Sequence, residues 1–78
     1  MISSVIATFD CDLETLERTK HQIDRNDSCE SGELIENRKL PIVVEAIDNQ
    51  EMETTTRWLQ SLDGIEFVDV VFVSLEKN

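Results

Sequence analysis

The chain has 78 residues, with seventeen Asp and Glu against seven Lys and Arg and a formal charge of −10 at pH 7. That balance repels phosphate backbones and anionic bilayers, so it argues against nucleic acid and stable membrane association and favours a basic partner. The length sets one domain over residues 1–78, and domains of this size bury only about 60% of their unfolded surface, which leaves little room for an enclosed catalytic cavity.

Ile2 to Phe9 alternates small polar and apolar residues and carries β-branched Val5 and Ile6, which predicts a first strand. It runs into Asp10-Cys11-Asp12, short carboxylates suited to a helix N-terminus. A helix follows to about Arg25, with Leu13, Leu16 and Ile23 on its inner stripe and Lys20 interrupting it. Asn26-Asp-Ser28 is turn chemistry, and Cys29 to Glu36 reads as a polar second strand at a sheet edge, with Gly32 marking a bulge or kink.

Asn37-Arg-Lys39 separates that strand from Leu40-Pro-Ile-Val-Val-Glu-Ala-Ile47, close enough for a hairpin, and Pro41 is tolerable near a strand's beginning. Asp48-Asn-Gln-Glu51 has the form of a capping box. The helix it opens turns Met52, Thr55, Thr56, Leu59 and Leu62 inward and ends at Asp63-Gly64, while Trp58 belongs at the core's edge. Ile65 to Leu75 is the fourth strand, apolar on both faces.

Strand, helix, strand, strand, helix, strand predicts an α+β chain: a ferredoxin-like split βαβ sandwich (βαββαβ), its four-stranded antiparallel sheet carrying two helices on one face. Period-two alternation assigns Val5, Ala7, Phe9, Ile42, Val44, Ala46, Val68, Val70 and Phe72 to the helix side. The opposite side then holds Ser4, Ile6, Thr8, Val43, Glu45, Phe67, Asp69, Val71 and Val73. No chain remains to cover it, and an open apolar face with two carboxylates suits an apolar peptide carrying arginine, which Glu45 or Asp69 would pair.

Other chemistries find little footing. His21 is the single histidine, and with Cys11 and Cys29 it has none of the local zinc spacings. There is no Ser, His and Asp arrangement and no phosphate-binding glycine loop, so the chain reads as a non-enzyme without cofactor or metal. The phenylalanines are scattered in an acidic chain, unlike an RNA-binding sheet. Met1-Ile-Ser-Ser lacks a basic leader and no apolar run approaches a membrane span, so the expected location is cytoplasmic, with both cysteines free thiols.

Ser31-Gly-Glu-Leu-Ile35, Ile42-Val-Val-Glu-Ala46, Asp63-Gly-Ile65 and Val68 to Phe72, with Ser4-Val-Ile-Ala7 and Cys29-Glu30, resemble in order and spacing the NapD family of nitrate reductase assembly chaperones. The resemblance covers nearly the whole chain. It implies a cytoplasmic chaperone that holds the twin-arginine signal peptide of the periplasmic nitrate reductase catalytic subunit, or of a related molybdoenzyme, and delays export until the cofactor is loaded. The peptide would dock as a helix on the sheet, and the positions carried over are Ile6, Val43, Glu45, Phe67, Asp69 and Val71. The chain departs from the family pattern at Glu30, Ser31, Gly32 and Glu33, where a more apolar run is expected, and in the Arg38-Lys39 hairpin. A second reading is a homodimeric regulatory domain of the same fold that binds a small effector.

Overall fold

The computed structural model describes residues 1–74, so Leu75 at the expected end of the last strand lies outside the described residues. The elements are β1 (Ile2–Phe9), α1 (Leu13–Asp24), β2 (Cys29–Ser31), β3 (Lys39–Glu45), α2 (Asn49–Gln60) and β4 (Ile65–Ser74). They form one sheet of order β2-β3-β1-β4, antiparallel at every neighbouring pair. This is the ferredoxin-like βαββαβ arrangement, and its core lies on one sheet face. There Val5, Ala7, Phe9, Ile42, Val44 and Val68 meet Leu16, Ile23, Leu59 and Leu62 of the two helices and their ends.

Asp12 caps α1 by accepting from the Thr15 amide at 2.9 Å. Its buried stripe is Leu16, Thr19 and Ile23, whereas Leu13, expected inside, is half exposed. Thr19 tolerates burial because its hydroxyl donates to the Asp63 carbonyl at 2.8 Å, tying α1 to the loop after α2. Asp48 caps α2 through the Glu51 amide at 2.8 Å, and the Glu51 carboxylate accepts from the Ile47 amide at 3.0 Å, one residue before the amide of the expected capping box. Gly64 has φ +85° and a Cβ there would stand 2.5 Å from the Cys11 Sγ, so both conformation and space require glycine. Trp58 packs partly buried against the core margin.

Two expectations about the strands β2 and β4 are corrected. The second strand stops at Ser31 rather than continuing to Glu36. Gly32 N donates to Pro41 O at 2.8 Å, so the backbone of Pro41 faces β2, and without an N–H it cannot return the second bond of that pair. The hairpin then closes separately at Ile35 and Lys39, through Glu36 and Asn37, both at φ 55°.

The second correction lies in β4. Val5 faces Val70 but Ser4 faces Phe72, so the register slips by one residue at Val71. Such a β-bulge reverses the alternation beyond it. Phe72, expected beneath the helices, shares the open face with Ser4 and is 58% exposed, while Val73, expected on the open face, is opposite buried Ser3 on the helix side. Val70 does lie on the helix side, opposite Val5, but α2 covers it poorly: it is 54% exposed, in a shallow depression with Met52, Thr56 and Arg57.

Candidate functional site: the open sheet face

Strand pairing arranges the uncovered face in rows. At one end Glu45 of β3 faces Ile2 of β1; next, Glu30 of β2, Val43 of β3, Ser4 of β1 and Phe72 of β4 stand side by side. Pro41, Ile6 and Asp69 form the following row, and Lys39, Thr8 and Phe67 the last. Of the residues expected on this face, Ile6, Val43, Glu45, Phe67 and Asp69 fall in these rows, and Val71, unpaired at the slip, lines the groove beside Ser4 and Ile6. Ile6 and Asp69 are direct neighbours, whereas Glu45 and Asp69 are two strands and four positions apart, about 16 Å on ordinary strand spacing.

The centre of the face is mostly apolar. Ser4, Ile6, Pro41, Val43 and Val71 line a shallow groove of about 210 Å³ that also touches Gly32 at the β2 edge. Val43, Phe67, Val71 and Phe72 are exposed, an apolar patch of the kind that monomeric proteins seldom leave without a use.

Carboxylates gather at the end where β1 begins. Asp24, Asp27, Glu30 and Glu45 surround a depression of about 460 Å³ with Ile2, Cys29 and Val43. A second depression of similar size, shared by Asp27, Glu45, Ile47 and Glu51, adjoins it. Ion pairs among the described residues are Lys20–Asp24 at 3.2 Å, Arg38–Glu66 at 3.2 Å and Arg57–Glu53 at 3.1 Å. None involves Asp27, Glu30, Glu45 or Asp69. Burial would raise the Asp24 carboxyl, but hydrogen bonds from Ser31, 2.6 Å from its hydroxyl, and from Lys20 outweigh it and hold the group below the usual carboxylate range. Arg38 and Lys39 stand at the opposite end of the face, beside β3's start.

Among the described residues no group of three His, Cys, Asp or Glu is placed to hold a metal, and no helix is long and apolar enough to cross a membrane. Cys11 and Cys29 are free thiols. Sequence reasoning missed Glu30, Pro41 and Phe72 as face residues. Glu30 and Pro41 follow once β2 and β3 are paired in register, but Phe72 depends on a bulge that alternation alone does not reveal.

No family model matches the sequence, and no curated protein matches it. Among solved structures, the chain is similar to the solution structure of the E. coli Tat proofreading chaperone protein NapD, with a TM-score of 0.80 at 20% identity. The match covers 99% of this chain and 80% of that one. At such identity the likeness is one of architecture: the chain has the fold of NapD.

Proposed function

We propose that this chain is a cytoplasmic chaperone that binds the twin-arginine signal peptide of an exported molybdoenzyme on its open sheet face and delays export until the enzyme's cofactor is in place. The observation that carries the reading is the face itself: an apolar floor of Ile6, Pro41, Val43, Val71 and Phe72, bordered by Glu30, Glu45 and Asp69, which make no ion pair among the described residues. A twin-arginine signal joins a cationic segment to an apolar one, and such a floor matches both parts. The likeness in fold to a Tat proofreading chaperone supports the same reading. The catalytic subunit of periplasmic nitrate reductase is the client that the sequence resemblance suggests.

Pairing the same face with a second copy, as the homodimeric alternative requires, is disfavoured by charge. Stacking two such faces would bring together two sets of Glu30, Glu45 and Asp69 against one Lys39 from each, in a chain already at −10. Calorimetric titration with synthetic signal peptides of exported molybdoenzymes should give saturable 1:1 binding for at least one, at micromolar Kd or tighter. Exchange of both arginines for glutamine should weaken it. Silence across the panel, or a dimer that persists at saturating peptide in sedimentation, would contradict the assignment.

A further inference from the structure

The charges on the open face are distributed along the strands. Glu45 and Glu30 lie on it at the end where β1 starts, and Asp24 at the end of α1 and Asp27 in the turn before β2 line the adjoining depression, with Lys20 the one cation paired there among the described residues. Lys39 sits in the last row beside Thr8 and Phe67, and Arg38 next to it pairs with Glu66. Between the ends the surface carries no charge except Asp69. A segment with one cationic and one apolar end therefore meets two different environments according to its direction.

From these placements we infer that the bound peptide has a fixed polarity: its arginines seat between Glu30 and Glu45, and its apolar run extends over Ile6, Pro41 and Val71 toward Thr8 and Phe67. This rests on the signal-peptide reading and adds its direction and its cation-binding residues. Glu30 faces Val43, and Glu45 is two residues further along β3, so the two carboxylates are diagonal neighbours with backbones about 7 Å apart. One guanidinium can reach both, or two adjacent ones can share them. Asp69 is about 16 Å from Glu45 and stands alone beside Ile6, so it contacts the middle of the segment instead.

A docked helix strengthens the same preference. Its N-terminus carries partial positive charge, which the acidic end favours, and its C-terminus approaches Lys39. From the Ile2 row to the Thr8 row the face is about 20 Å long, enough for about thirteen helical residues. That length accommodates an arginine pair and the apolar run behind it.

The test uses the full chain labelled with ¹⁵N and a synthetic twin-arginine peptide carrying a nitroxide at one end or the other. A label ahead of the arginines should broaden the amides of Ile2, Glu30 and Glu45, and a label after the apolar run those of Thr8, Lys39 and Phe67. The reverse pattern, or equal broadening at both ends, overturns the polarity while leaving docking intact. Broadening confined to α1 and α2, or none at saturating peptide, overturns the docking itself. As a second arm, Glu30→Gln with Glu45→Gln should weaken binding about tenfold at low salt, and Asp69→Asn by no more than about twofold. The opposite ranking would overturn the assignment of the arginine site.

Discussion

Cys11 and Cys29 show how far a residue's chemistry depends on its setting. Cys11 is exposed and is raised by partial desolvation and by the carboxylates of Asp12 and Asp10, while Cys29 is buried and pushed up to about 11, first by burial and then by Asp24. The thiolate is the reactive form, so at pH 8 a disulfide reagent should modify one thiol per native chain, slowly, and the second only after denaturation. Two thiols of equal rate in the native protein would contradict the burial of Cys29. Such distinctions are beyond sequence spacing, which yields only that no C-x-x-C pair is present. Thr19 makes the same point: its burial depends on a carbonyl 44 positions away, which no helical periodicity announces.

Among the elements, the hairpin between β2 and β3 carries the least favourable backbone. Glu36 and Asn37 are both left-handed, closed by Arg38 N donating to Ile35 O at 3.0 Å, with the φ signs of a type I′ turn. Asn accepts that region readily, but Glu does so at a cost of about 1 kcal/mol or more. Glu36→Gly should therefore stabilise the chain by about 1 kcal/mol, raising Tm by about 4–8 °C. A fall in Tm would show that the Glu36 side chain contributes more than its backbone costs. Helix caps, the glycine stop and three strands were legible because their signals are local. The end of β2 was not, because it is set by the missing N–H of Pro41 on the neighbouring strand, and the slip at Val71 was hidden because alternation counts residues without knowing which are paired.

For the whole molecule, the −10 charge acts on stability and on binding in opposite senses. Self-repulsion in the compact state weakens it, and salt screens that repulsion over a Debye length that falls to about 10 Å at 0.1 M. Raising sodium chloride from about 10 to 200 mM should increase Tm while reducing affinity for a twin-arginine peptide. A Tm that is flat or falling with salt would mean that local ion pairs outweigh the net charge; affinity insensitive to salt would remove charge pairing from the recognition.

The slip at Val71 also means that this surface is specified by pairing register as much as by composition. The ten residues of β4 contain enough apolar side chains for either side of the sheet, and a one-residue slip in their pairing with β1 decides that an aromatic ring, Phe72, is presented outward. Removing Val71 would leave Phe72 opposite Ser4 and Val73 opposite Ser3 in an unbroken ladder, and would take only the bulged side chain from the exposed side. A one-residue bulge in an edge strand can thus change which side chains the open face presents, without disturbing the layer beneath.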